Sequence, residues 1–330
     1  LINVPYGRQP AFAEEVLNRS GGLAGALPAI ERRRLVTDHD VVLFSVRSWE
    51  ENAETALKYL ESCREKGWFT ILFASEAGKP DGLDVDFLID NGAPDGGNDE
   101  AAVNVVANAL NAWLWVCEYT SAMTRRGKHP GFLQSITTVG SAEHNAKYQN
   151  RRTRHHIYPC ETPIPAGDLA RIYLGRVDTL VRDLSSKMTR DQIDRAAGLI
   201  AERLRSPHDV YVSTSTHIML SDIYKNNLSP WKPIRTLRIM PEALEKHVEE
   251  GDLFFWLAFN GVSIWSYPLG EDSELYIDYD RHFRESGVDL ITCFATDPLH
   301  PDNNGDYALA HIEPEWGYGD SEVPLPFPPG

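Results

Sequence analysis

The sequence is short of positive charge. Against 48 Asp and Glu it carries 32 Lys and Arg, a formal charge of −16 over 330 residues. A surface that tracks nucleic-acid phosphates needs a basic excess, so a nucleic-acid binder of the usual kind is excluded. Cysteine is scarce too. Cys63, Cys117, Cys160 and Cys293 stand singly, with no CxxC pair, and reduced thiols in a cytoplasm are the simplest expectation. No apolar run approaches the roughly 20 residues that span a bilayer, so no membrane partner is expected. The opening LINVPYGRQP lacks the basic start and long apolar stretch of a secretory signal, although a chain that begins with Leu leaves export open. GxGxxG, GxxxxGK[ST], HExxH and GxSxG are all missing, which leaves a nucleotide-cofactor dehydrogenase, a P-loop enzyme, a zincin and an α/β-hydrolase unsupported. No cofactor and no metal is expected.

What is present fits a packed globular protein: 42% hydrophobic residues, 24% charged residues and 8 Trp. The length suggests two domains. The proline-rich stretch YPCETPIPAG, residues 158–167, places the boundary, with modules expected over 1–160 and 161–330. Along the chain, β-rich apolar runs alternate with helical patterns, the signature of a parallel sheet covered by helices. In the first half the pattern gives strands at 2–4, 40–45, 69–74 and 85–89, and helices at 11–18, 51–66 and 98–126. The last helix places Val103, Val106, Ala107, Leu110, Trp113, Leu114 and Cys117 on one broad face, read as core. Arg125, Arg126 and Lys128 at its end complement the helix dipole. In the second half the pattern gives helices at 168–185, 189–204, 220–225 and 279–286, and strands at 209–212, 236–239, 253–259 and 289–294. From His311 onward no helix or strand period is evident, and the prolines suggest an extended tail.

The halves share a plan. DVVLFSVRS, a helix ending in EKG, and WFTILFAS in the first half parallel DLFFWLAFNG, a helix ending in ESG, and VDLITCFAT in the second. An internal duplication accounts for this best.

Three stretches carry a family resemblance. AFAEEVLNRSGGLAG (11–25) is similar to the helix after the first strand of phosphoheptose-isomerase-like proteins. DVVLFSVRSWEENAETALKYLESCREKGWFTILFAS (40–75) resembles a strand, phosphate loop, helix and strand of the sugar isomerase (SIS) domain family. VYVSTSTHIMLSDIY (210–224) is similar to the first strand and ligand loop of a second such module. The resemblance implies an α/β fold of two doubly wound, flavodoxin-like parallel-sheet modules in tandem. It further implies a phosphosugar isomerase with its site between modules, and a small-molecule sugar or sugar phosphate as partner; a homo-oligomer is left open. The family's Ser-x-Ser-Gly-x-Thr run is replaced by Ser45-Val46-Arg47-Ser48-Trp49-Glu50-Glu51-Asn52.

Site candidates follow from the loops. Arg47 would attract a dianion, with Ser48 and Asn52 beside it, whereas Glu50 and Glu51 would repel one; Ser48 with Glu51 also reads as a capping box. Ser213, Thr214, Ser215, Thr216 and His217 put four hydroxyls and an imidazole after a buried strand, where open α/β sheets bind ligands, or where a helix is capped. Asn260, Gly261 and Ser263 form a further candidate loop, or a turn with no ligand. Aldose–ketose isomerisation needs a base that moves a proton between adjacent carbons and an acid that polarises the sugar. Glu143 or His144 is the expected base and His217 a second polar partner, against the alternative of a polar helix turn at the module interface. The His155–His156 pair and Asp297, His300, Asp302 and Asp306 read as solvated charge, not as metal sites. Two competitors stand beside the isomerase: a noncatalytic sugar-phosphate-binding or regulatory protein with degenerate phosphate loops, and a scaffold whose tail, 316–329, docks a partner.

Overall fold

The computed structural model describes residues 2–4, 12, 16, 23, 26–28, 40–94, 100–133, 143–146, 158–185, 187–214, 234–236, 246–258, 283, 285–295 and 307–312. Two compact units emerge, Leu1–Tyr173 with Gly319–Gly330, and Leu174–Tyr318. The fold is α/β with parallel sheets.

The first unit holds strands β1 (Ile2–Val4), β2 (Ala26–Pro28), β3 (Val41–Ser45), β4 (Phe69–Ala74) and β5 (Phe87–Asp90) in one sheet, in the order β2-β1-β3-β4-β5. Every pairing in it is parallel, with Val41 opposite Phe69 and Ile71 opposite Phe87. Parallel strands buried on both faces read as continuous apolar runs, which is why VVLFS and FTILFA show no alternation. Helix α1 (Trp49–Glu65) turns Trp49, Asn52, Ala56, Leu60 and Cys63 inward at helical spacing. It packs Trp49, Ala56 and Leu60 against Val46, Leu72 and Ala74 on one face of the sheet. Phe12 meets Phe73 on the other face, ring centroids 4.9 Å apart. Gly67, at φ 70°, takes the left-handed turn that ends α1 and returns the chain into β4, with its N–H donating to the carbonyl of Arg64.

Helix α2 (Glu100–Thr124) differs from its expected orientation. Val103 and Val106 are exposed, 45% and 70%, whereas Asn104 and Asn108 are buried, 1% and 0%. The fully buried apolar stripe therefore runs through Ala112, Trp113, Val116 and Cys117 among the described residues, and amides are buried nearer the helix start. Arg125 follows the helix and donates from Nη1 to the carbonyl of Ile164, while Thr124 Oγ1 accepts from Ile164 N. Glu118 accepts from Gly167 N at 2.8 Å. The proline-rich stretch is thus bonded along α2, helped by a short antiparallel pair, β6 (Lys128–His129) with β7 (Tyr158–Pro159).

Helices α3 (Asp168–Leu184) and α4 (Lys187–Arg203) lead into the second sheet. Its strands are β8 (Val210–Thr214), β9 (Arg235–Thr236), β10 (Leu253–Ala258), β11 (Asp289–Ala295) and β12 (Tyr307–Ile312), all parallel, in the order β12-β11-β10-β8-β9. Numbered from its own first strand, this is the order of the first sheet. Ala196 of α4 packs with Val210, Val212, Leu253, Phe255 and Ile291 on one face. Phe283 meets Phe254 on the other, ring centroids 4.6 Å apart and tilted by 31°. β12 corrects the expectation that no strand period extends past His311, since His311 and Ile312 close that strand opposite Phe294 and Ala295. The expected helix at 220–225, the His155–His156 pair, the loop 297–306 and the tail 316–329 lie outside the described residues.

Candidate functional site

In a sheet of order 2-1-3-4-5 the connections run one way from the first strand and the other way from the third, which opens a crevice at the carboxyl ends of these two strands. In the first unit that crevice lies at the ends of β1 and β3. The loop leaving β3 is Val46-Arg47-Ser48, and it runs directly into α1. Val46 N donates to Phe73 O at 3.0 Å, which makes Val46 the last residue tied to the neighbouring strand.

Ser48 is the N-cap of α1. Its backbone is extended (φ −152°, ψ 124°), and its Oγ accepts from Glu51 N at 3.4 Å. Arg47 lies along the first turn, with Nη2 donating to Glu51 Oε2 at 2.6 Å. The guanidinium is buried, with only 5% of the residue exposed, and its Nε and Nη1 make no hydrogen bond among the described residues. Asn52 is buried beside it, and its Nδ2 is likewise without a partner. Arg47, Ser48 and Asn52, the three residues expected here from the sequence, are therefore brought together, with buried donors that meet no acceptor among the described residues. A buried charged donor without an acceptor costs of the order of 1–3 kcal/mol or more, which an anion or polyol oxygen would recover.

The walls of this end of the sheet are polar and well bonded. Trp49 Nε1 donates to Ser75 O at 2.7 Å, and Ser75 Oγ donates to Ala93 O at 2.5 Å. Asn91, just past β5, donates from Nδ2 to Asn104 Oδ1 at 2.6 Å and to Asn108 Oδ1 at 2.9 Å. Asn108 in turn donates to Val46 O at 3.0 Å. Sequence reasoning missed Asn91, Asn104 and Asn108. The available signal was asparagine at 104, 108 and 111, a helical spacing of four and three inside a stretch read by its apolar residues alone.

Glu143 and His144 sit in a helical turn, residues 143–146. Glu143 is exposed. His144 is half-buried, and its Nε2 is 2.9 Å from the carbonyl oxygen of Phe132, to which it donates. That bond fixes the ring and the tautomer, an orienting contact for a histidine. Ser213 and Thr214 are placed at the carboxyl end of β8, where the second sheet has its own reversal of strand order. Ser215, Thr216, His217, Asn260, Gly261 and Ser263 lie outside the described residues. Among the described residues no cluster of three or more His, Cys, Asp or Glu could hold a metal, and no helix is long and apolar enough to cross a membrane.

No protein-family profile matches the chain, and no curated protein does. Among solved structures, a provisionally assigned phosphosugar isomerase of Clostridium difficile 630 is similar over 98% of this chain and 78% of its own, at 12% identity and a TM-score of 0.48. The C-terminal domain of glucosamine-fructose-6-phosphate aminotransferase from Francisella tularensis is similar over 93% and 75%, at 10% identity and a TM-score of 0.42. A provisionally assigned phosphosugar isomerase of Bacillus subtilis is similar over 92% and 81%, at 12% identity and a TM-score of 0.43. Likeness at this level carries no functional argument, so function has to be argued from the residues of the site.

Proposed function

We propose that the chain binds a phosphorylated sugar at the carboxyl ends of the first unit's strands, with the phosphate against Arg47, Ser48 and the start of α1. One observation carries this reading: the Arg47 guanidinium is buried at the end of β3 with Nε and Nη1 unpartnered. A helix N-terminus adds aligned N–H groups and a positive dipole end beside it. The net charge of −16 gives anions no help from the overall field, so capture depends on this local group. Asn52 supplies a further donor for a sugar hydroxyl.

The finer reading is aldose–ketose isomerisation, as the family resemblance implies. Glu143, being exposed, is the base in this scheme: it takes the proton from one sugar carbon and returns it to the neighbouring carbon, while a hydroxyl proton crosses the other way. His144 is held on the Phe132 carbonyl and orients that turn. His217, Ser213, Thr214, Ser215, Thr216, Asn260, Gly261 and Ser263 are the polar contacts this scheme assigns to a second module of the same kind. The His144 contact also favours a noncatalytic sugar-phosphate-binding protein, because a backbone-bonded imidazole is a structural element.

Titration calorimetry with a panel of sugar phosphates and the matching free sugars tests the binding step. Arg47→Ala should weaken a phosphosugar by roughly 10–100-fold, the equivalent of about 1.5–3 kcal/mol for charge-assisted hydrogen bonds. No binding of any phosphosugar by the unaltered chain overturns the proposal. For a bound sugar, NMR in D2O reads the chemistry. Deuterium at the carbon next to the carbonyl, lost in Glu143→Gln, supports isomerisation, and its absence selects the noncatalytic reading.

A further inference from the structure

We infer that Asn108 is a positioning residue for the ligand loop, acting through the carbonyl of Val46, and that Asn91 holds the Asn108 amide in the donating orientation; this deepens the binding reading and rests on it. Val46 is held at both of its backbone polar groups, one in the peptide before it and one in the peptide it shares with Arg47. Val46 N is spent on Phe73 O, and Val46 O receives Asn108 Nδ2 across 62 residues of sequence. Arg47 begins immediately after, so the plane of this peptide sets where its side chain leaves the backbone.

The orientation of the Asn108 amide is determined, not merely compatible. Asn91 Oδ1 accepts from Ala93 N at 2.8 Å, so Asn91 Nδ2 must face α2, where it donates to Asn104 and Asn108. Asn108 Oδ1 is thereby occupied by a donor, which leaves its Nδ2 for Val46. Turning the Asn108 amide over would set N–H against N–H at one end and oxygen against oxygen at the other. Asn91 is itself anchored, with N donating to Ala74 O at 3.1 Å and Gly92 following at φ 68°. Donation therefore runs from the end of β5 through α2 to the end of β3. An apolar residue at 108 would leave the Val46 carbonyl without this donor. Burial of two amides on α2, while Val103 and Val106 face outward, is the arrangement expected when loop geometry outranks core packing.

The test uses the full chain with Asn108→Asp, which keeps the shape but sets an acceptor against the Val46 carbonyl, and with Asn91→Ala, which releases the Asn108 amide. Hydrogen exchange over residues 46–52 is read by mass spectrometry, together with the affinities for the phosphosugar and for its free sugar. Asn108→Asp should speed exchange in that segment, leave β10 and β11 unchanged, and weaken the phosphosugar by roughly tenfold, the equivalent of about 1.4 kcal/mol. The free sugar should be affected much less, because the phosphate partner is what moves. Equal loss for both ligands, or unaltered exchange, overturns the inference. If the unaltered chain binds no phosphosugar, the binding reading falls alone. Exchange then decides: faster supports a loop held by Asn108, and unaltered refutes it. If Asn108→Asp does not fold, Asn91→Ala carries the same readouts in the same direction.

Discussion

Asp40 and Asp252 stand at the same point of two separate sheets. Each precedes the third strand of its sheet, and each is buried, 0% and 4% exposed. Each gives its backbone carbonyl to the residue that opens the fourth strand, Phe69 N to Asp40 O and Asp289 N to Asp252 O, both at 3.0 Å. The glycines that release the chain into those fourth strands also match, Gly67 at φ 70° and Gly287 at φ 67°. At Gly287 a Cβ would come within 2.9 Å of Glu250 Cγ, so close approach adds to the positive φ in requiring glycine.

The Asp252 carboxylate accepts from Asp209 N and Glu249 N, both at 2.9 Å, and so joins the amino end of β8 to the turn before β10. Asp252→Ala leaves both N–H groups without that acceptor and should lower the unfolding free energy by about 2–4 kcal/mol. Asp252→Asn keeps one acceptor and should lose about half as much. Urea denaturation checks both; equal losses would mean that the carboxylate pairs are not what Asp252 contributes.

Glu51 occupies the only charged contact described for Arg47, and it does so from the half-exposed side, with 49% of its side chain accessible. A phosphate approaching Arg47 therefore competes with a carboxylate already there. Glu51→Gln removes that charge and should tighten phosphosugar binding several-fold, since one nearby like charge is worth of the order of 1 kcal/mol at a partly exposed site. Calorimetry on the two proteins decides it, and weaker binding by Glu51→Gln would make Glu51 a ligand contact instead of a competitor.

Strand and helix positions were legible wherever burial was two-sided. β4 occupies the expected residues 69–74, and β3, β10 and β11 fall within one residue of expectation at each end. The start of α1 moved from 51 to Trp49 because Ser48 caps it and Trp49 is buried with its indole on Ser75 O. β2 was illegible because three residues ending in Pro28 show neither period nor length. Within the site, Arg47, Ser48 and Asn52 were readable from position after a buried strand. The amide chain of Asn91, Asn104 and Asn108 was not, because hydrophobic periodicity weighs asparagine as solvent-facing, and only the tertiary hydrogen bonds reverse that.

Thiol chemistry separates the described cysteines. Cys63 and Cys117 are buried, and burial pushes their thiols up, to about 11 and about 12 respectively. Cys160 is half-exposed and donates to Thr162 O at 3.2 Å. Because the thiolate is the nucleophile, limited iodoacetamide on the folded protein should label Cys160 well before Cys63 or Cys117. Peptide mass spectrometry reads the order. Early labelling of Cys117 would mean that α2 is not packed as described.

His129 gives the sharpest pH test. Its ring meets Phe132 edge-on, centroids 5.7 Å apart, and burial lowers its pKa from the ordinary 6.5, an effect only partly offset by the backbone of Pro130 and of His129 itself. In the unfolded chain the imidazole takes its proton near 6.5, whereas in the folded chain it does so only at lower pH. Between these two values the unfolded state binds more protons, so stability rises with pH across the window. The contribution is present above 6.5 and is lost as pH falls through the lowered value. His129→Gln should remove this slope below pH 6.5 while leaving the acid loss from carboxylates, a comparison that melting curves at half-unit intervals resolve. An unchanged slope in His129→Gln would show that the imidazole is as hydrated in the folded protein as in the unfolded one, and that the edge contact with Phe132 does not exclude water.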